Sequence, residues 1–370
     1  IMEQSLNQIP ISTYKTTPEA EELVLSVLRS GQLAQGPMVA KLEELSARMA
    51  GTEHAVAYSN GTATLVGALI ANSVGPGDEV ITSPFTFVAT LNAILFTGAK
   101  AVFADIDAKT YNIDPKAIEA AITENTKAIM PVHIFGQACD MKEIMTIAKK
   151  NNLVIIEDAA QAHGALWDKK PVGSFGTGSF SFYTTKNVGC GEGGVVTTND
   201  SSIAHALQLL RNQGMKERYK YERVGWNFRL TDLQAAVAIP QMELLNDSNK
   251  KRNITAQRYN DVFSQLDHIV TPFIRNEAFS VWHQYSLRVK NISKREELIE
   301  TLHSKGIGAG VYYPRPVFEY EPYINNENVV ISSCDVTREV CESVFSIPVH
   351  PYLSEQDVDR VIEGVSNATV

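Results

Sequence analysis

From about residue 55 to residue 200, short apolar runs rich in Val, Ile and Ala alternate with longer segments whose apolar positions recur every three to four residues. Apolar runs without polar alternation suit strands covered on both faces, and the helical segments between them supply the covers. The pattern predicts an α/β fold with a mostly parallel sheet and helices on both faces. Seven strands are expected, at 54–58, 79–82, 101–104, 128–133, 153–157, 179–183 and 194–197. Helices are expected at 62–73, 87–97, 115–121, 141–151 and 201–212, with turns such as Val74-Gly75-Pro76-Gly77-Asp78 between helix and strand.

Thr231-Asp232 reads as a helix start, and helical spacing then runs to about Leu266 across Pro240. Proline removes a helix hydrogen bond and crowds the preceding turn, so this helix must kink or break. It is the expected connector between a large domain, 1–245, and a small C-terminal α/β domain, 246–370. The latter carries strands at 283–289 and 309–313 and helices at 294–305, 335–344 and 354–367.

Composition narrows the class. With 370 residues, 44% hydrophobic and 20% charged, the chain has enough apolar material for a large core. A net charge of -9 repels nucleic acid and anionic membranes, so neither is an expected partner. Cys139, Cys190, Cys334 and Cys341 lack metal-ligand spacing, and the eight histidines show none, so no metal is expected. The N-terminal stretch has no basic segment followed by an apolar run, and no stretch is long enough to span a bilayer. A cytoplasmic protein is expected.

Chemistry concentrates in two segments. Ile155-Ile156-Glu157-Asp158 ends a strand in an acid, where parallel sheets bind ligands. Lys186 follows the alternating strand at 179–183 and precedes a glycine-rich turn. A lysine so placed can form a Schiff base. Pyridoxal phosphate asks a protein for such a lysine, a carboxylate for its ring nitrogen, donors for its phosphate and an aromatic against its ring. The run Ser59-Asn60-Gly61-Thr62 opens a helix and offers N–H groups to a phosphate, and Phe87 begins the next helix. Singly, each has a plainer reading: a turn or capping Asp, a capped helix start, a core Phe. The literal G-x-G-x-x-G at Gly189, Gly191 and Gly194 precedes a strand rather than a helix, which argues against a dinucleotide site. His133, on an apolar strand, reads as a satisfied interior histidine.

Eight ordered motifs span nearly the whole chain: SGQLAQGP at 30–37, SNGTATL at 59–65, PFTFVATLNA at 84–93, PVHIFGQACDM at 131–141, EDAAQAHGA at 157–165, SFSFYTTKNVGCGEGG at 179–194, LRNQGM at 210–215 and GWNFRLTDLQAA at 225–236. Together they resemble the sugar-nucleotide aminotransferases, the DegT/DnrJ/StrS branch of the fold-type I pyridoxal phosphate enzymes.

The resemblance implies that Lys186 carries the cofactor and later acts as base, with Asp158 the partner of its ring nitrogen. By the same match Gln161 lies beside the ring hydroxyl, Phe87 stacks, and Gly61, Thr62 and Ser181 hold the phosphate. Asn227 would reach that phosphate from the other subunit, implying a homodimer with active sites at its interface. The implied reaction moves an amino group from an amino acid, with glutamate expected, to a ketone of a nucleotide-linked sugar. A 4-keto-6-deoxy sugar is preferred on the family's habits alone, with a 3-keto sugar or an aminocyclitol as alternatives. Retention of Lys186, where a dehydrating sub-branch has histidine, favours amino transfer over sugar dehydration. A non-catalytic regulatory relative is the remaining alternative. Tyr183 stands where many members have histidine, and Phe318 where the small-domain motif after Tyr313-Pro314 expects one. Tyr183, Tyr313 and Arg315 are the substrate candidates, and Arg315 or the Lys216 and Arg218 region is available to a diphosphate.

Overall fold

The computed structural model describes residues 8–368; residues 1–7, where the N-terminal reading begins, and 369–370 lie outside it. Seven strands arise where the apolar runs predict them: β1 (His54–Tyr58), β2 (Glu79–Thr82), β3 (Lys100–Phe103), β4 (Thr126–Met130), β5 (Val154–Asp158), β6 (Thr177–Ser181) and β7 (Gly194–Thr198). Further along, β8 (Ile269–Val270), β9 (Tyr285–Val289) and β11 (Val344–Ile347) form a three-stranded antiparallel sheet, while β10 (Val329–Ile331) joins the large one. The large sheet therefore has eight strands, in the order β1-β7-β6-β5-β4-β2-β3-β10. Only β7 runs against its neighbours.

Successive side chains on a strand face opposite sides, and the apolar runs divide accordingly. Ile81, Ile129 and Ile155 enter a core closed by α2 (Pro37–Ala50), α6 (Met141–Asn151) and α8 (Asp232–Glu243). Their neighbours Val80, Ala128 and Ile156 enter the opposite core, closed by α3 (Gly61–Ala71), α4 (Val88–Phe96) and α7 (Ser201–Arg211). Each such aliphatic side chain contributes about 1.5–3 kcal/mol on burial, so both faces hold the sheet. No helix among the described residues is long and apolar enough to cross a membrane.

The expected long helix is interrupted. A capping box of Thr231 and Gln234 starts α8, Pro240 sits inside it, and the helix ends at Glu243. After Leu244 the chain restarts as α9 (Leu245–Phe263), one turn beyond the proline. Helix α9 then packs with β8, β9, β11, α10 (Arg295–Ser304) and α12 (Glu355–Ser366) around a third core.

Several elements differ from expectation. Helix α1 (Pro18–Ser30) and α2 were not predicted, although Thr17 caps α1, Pro18 opens it and left-handed Gly31 closes it. Residues 309–313 form no strand, and only Gly310 bridges Ser346. The seven-stranded count becomes eight because Val329–Ile331, too short to leave a pattern, pairs in parallel with β3.

A carboxylate fastens this late segment. Helix α11 (Asp335–Ser343) has no side-chain cap of its own at Cys334. Asp105, after β3, instead accepts from the Val336 and Thr337 N–H groups at 2.9 and 3.0 Å and from the Thr337 hydroxyl at 2.6 Å. Asp105→Ala would leave these donors without their acceptor and should cost about 1–3 kcal/mol, read as a lower midpoint in urea unfolding.

Candidate active site

The two consecutive acids that end β5 point to opposite faces and have different duties. Glu157 is fully buried and accepts from the Gly173, Phe175 and Gly176 N–H groups at 2.9, 2.8 and 3.1 Å. Its remaining contact is His133 Nε2 at 3.1 Å. Because His133 Nδ1 accepts from the Cys139 N–H, the ring proton lies on Nε2 and is donated to Glu157. His133 is thus the satisfied interior histidine its strand suggested.

Asp158 faces the cleft at the carboxyl end of the sheet and is 5% exposed. It accepts from the Thr90 hydroxyl at 2.7 Å and the Ala160 N–H at 3.2 Å, and burial outweighs both in raising its pKa. No arginine or lysine forms an ion pair with it among the described residues.

Lys186 lies on the loop from β6 to β7, which side chains from later in the chain hold in place. Gln241 of α8 accepts from the Gly189 N–H at 3.1 Å and donates to its carbonyl. Burial pulls the Lys186 amine down to a pKa of about 8, and Asp158 is the charge that opposes this. His163 packs between Phe180 and Phe182, and burial followed by the Lys186 charge lowers it to about 3. The lysine therefore has no second cation in that ring.

A cradle completes the cleft. Asn60 caps α3 through the Ala63 N–H, leaving the Gly61 and Thr62 N–H groups without a protein partner among the described residues. A Cβ at Gly61 would meet Ser181 Cβ at 2.6 Å and Oγ at 2.9 Å, so glycine is what lets the helix start and Ser181 come together. Phe87 is 57% exposed, with the Tyr313 ring 6.3 Å from its own. Gln161 accepts from the Phe135 N–H at 2.7 Å and donates to the Tyr313 hydroxyl at 3.2 Å. These residues, with Tyr183 and Lys186, line one cleft of about 760 Å³.

This constellation fits pyridoxal phosphate. Unpaired N–H groups at a helix start receive a phosphate, an open aromatic face receives a flat ring, and a poorly solvated carboxylate gains from a cationic ring nitrogen. Thr90, on the first turn of α4, lines the cleft without having been singled out in the sequence. His283, Gln284 and Tyr312 also line the cleft without having been singled out.

Other candidates are not brought there. Asn227 is exposed and does not line its own chain's cleft. The guanidinium of Arg315 lies over Tyr320, 5.3 Å from the ring centre, outside the cleft. Lys216 pairs with Glu222 at 3.0 Å and Arg218 lies over Tyr219, both on an exposed hairpin. Phe318 is 2% exposed and packs on Phe103 at 5.2 Å, so that position faces the core rather than the cleft.

The fold and cofactor are those of a fold-type I pyridoxal phosphate aminotransferase. Residues 15–366 match the model of the DegT/DnrJ/EryC1/StrS aminotransferase family, and the chain belongs to that family. It is 39% identical to UDP-2-acetamido-2-deoxy-3-oxo-D-glucuronate aminotransferase of Pseudomonas aeruginosa, over 92% of this chain and 93% of that one. It is also 39% identical to dTDP-3-amino-3,6-dideoxy-alpha-D-galactopyranose transaminase of Aneurinibacillus thermoaerophilus, over 94% of each. Among solved structures, S. venezuelae DesV in complex with a ketimine intermediate superposes with a TM-score of 0.90 at 35% identity, over 94% of this chain and 93% of that one. The protein is a sugar aminotransferase.

Opposed effects on Lys186 give a signed expectation. In the cofactor-free protein its amine should become reactive to an acylating reagent with a midpoint near pH 8. Asp158→Asn removes the charge that raises this value, so the midpoint should fall further, as read by competitive labelling and peptide mass spectrometry.

Proposed function

We propose that this enzyme transfers an amino group from glutamate to the ketone of a nucleotide-diphosphate sugar, as a cytoplasmic homodimer whose two active sites lie at the subunit interface. The observation that carries this reading is that a buried carboxylate, a lysine of lowered pKa and an open aromatic ring share one cleft in a member of this family. The cofactor supplies an electron sink and a carrier for the amino group.

Around it, each residue has a definite duty. Asp158, oriented by Thr90, would hold a proton at the ring nitrogen, and Gln161 would sit beside the ring hydroxyl. The Gly61 and Thr62 N–H groups and the Ser181 hydroxyl would bind the phosphate, while Phe87 covers one ring face. Lys186 is the nucleophile that retains the cofactor. Its amine, when not bound to the cofactor, would be the base that takes the proton from the amino donor's Cα and passes that same proton on to the cofactor. A pKa of about 8 leaves a useful unprotonated fraction near neutrality.

Asn227, exposed in its own subunit, is available to the phosphate of the partner's site. Tyr219, Tyr221 and Val224 nearby are 71%, 61% and 79% exposed, an apolar surface that a second copy would cover. Tyr183 and Tyr313 line the cleft where a sugar would enter. The ring position favoured here is C3, since the relatives described above carry 3-oxo and 3-amino in their names. The 4-keto sugar expected from the sequence is the second reading.

Incubation with ¹⁵N-glutamate and a panel of UDP- and dTDP-linked 3-keto and 4-keto sugars tests both readings. Label at C3 is expected, label at C4 restores the second reading, and loss of sugar oxygen without label would mean a dehydratase. Lys186→Ala should reduce turnover at least about 10³-fold while the cofactor still binds noncovalently. Near-parental turnover by that variant would remove Lys186 from its role.

A further inference from the structure

Lys186 must reach the cofactor from one direction, and in the loop that bears it no hydrogen bond of its own amine fixes that direction among the described residues. The next residue does. Asn187 is buried, and its side chain makes three polar contacts, none to the large sheet. Its Nδ2 donates to the Val281 carbonyl at 3.0 Å and to Asn249 Oδ1 at 3.0 Å, and its Oδ1 faces His283 Nδ1 at 3.3 Å.

The direction of each bond follows from backbone carbonyls. The Val281 carbonyl only accepts, so Nδ2 of Asn187 lies on that side and Oδ1 faces His283, which must therefore carry its proton on Nδ1. Asn249, on α9, is 2% exposed, and its Nδ2 donates to the His163 carbonyl at 2.9 Å. Its Oδ1 is thereby turned to Asn187. One buried amide thus touches both the segment that follows Asp158 and the loop that bears Lys186. Gly164 leaves room for it: its φ is +83°, and a Cβ there would lie 3.0 Å from Asn249 Nδ2.

We propose that Asn249, acting through Asn187 and supported by His283, is a positioning clamp that sets the approach of Lys186 relative to Asp158. A displacement of about 1 Å at a reacting group can cost about a hundredfold in rate, so such a clamp acts on reaction rather than on binding. The phosphate cradle and Phe87 take part in none of these hydrogen bonds, and noncovalent affinity is assigned to them. The inference rests on Lys186 being the residue that retains pyridoxal phosphate.

Cofactor-free protein is mixed with pyridoxal phosphate. Noncovalent binding is followed by fluorescence, and covalent capture by the growth of visible absorption and by borohydride trapping on the Lys186 peptide. Asn187→Ser and Asn249→Ala should each bind within about threefold of the parent affinity yet capture about tenfold more slowly. Their double variant should be no slower than either, because both cut one link. His283→Leu should also slow capture, and His283→Asn, whose amide can donate from the Nδ1 position, should restore it; this pair decides the matter if the asparagine variants do not fold. Capture at the parental rate, a double variant slowed about a hundredfold, or equal behaviour of His283→Leu and His283→Asn would overturn the clamp. Absence of capture on Lys186 by the parent protein would instead overturn the assignment of the lysine, and the clamp with it.

Discussion

An ammonium group and a carboxylate withdrawn from bulk water into one cleft constrain everything around them. Each is costly to keep charged, and each is shifted toward neutrality by burial, Asp158 upward and Lys186 downward. A cationic ring placed beside Asp158 would reverse the shift there while leaving the lysine's amine available.

The scaffold answers with rigidity. Asp158 ends β5, which lies between β4 and β6 near the middle of the eight-stranded sheet, and the adjoining Glu157 is locked by three backbone N–H groups and His133. Breaking such a buried cluster would leave several donors without partners, an expensive outcome in low dielectric. One strand end thus combines a fixed structural acid with a second acid turned to the cleft on the opposite face.

What could be read from sequence follows the range over which its cause acts. Strand periodicity and the proline break are local, and they were legible: the seven strands of the α/β sheet and the interruption near Pro240 needed no distant contact. Lys186 stood out because a lysine between an alternating strand and a glycine-rich turn is poorly explained by packing, and Asp158, a plain turn or capping acid by itself, gained weight from that second segment. Asn249 left no such signal. It is a polar residue within a polar helix, and its burial depends on Gly164 and on a loop 62 positions earlier. β10 was hidden for a related reason, since three residues carry too little periodicity and their partner strand lies more than 200 positions away. Phe318 shows the converse: its place in a motif is legible while its direction is not, for the ring turns into the core against Phe103.

The position of β10 also bears on synthesis from a ribosome. β3 acquires its outer neighbour only when residues 329–331 have emerged, after every other strand of the large sheet has been made. Until then the β3 edge presents unpaired N–H and C=O groups, and the Asp105 carboxylate beside it lacks the α11 donors. The nascent chain thus carries an unfinished, adhesive edge through most of its elongation. Its closing strand arrives by one of the longest-range pairings in the fold, so completion of the large sheet is the step most exposed to competition from other chains.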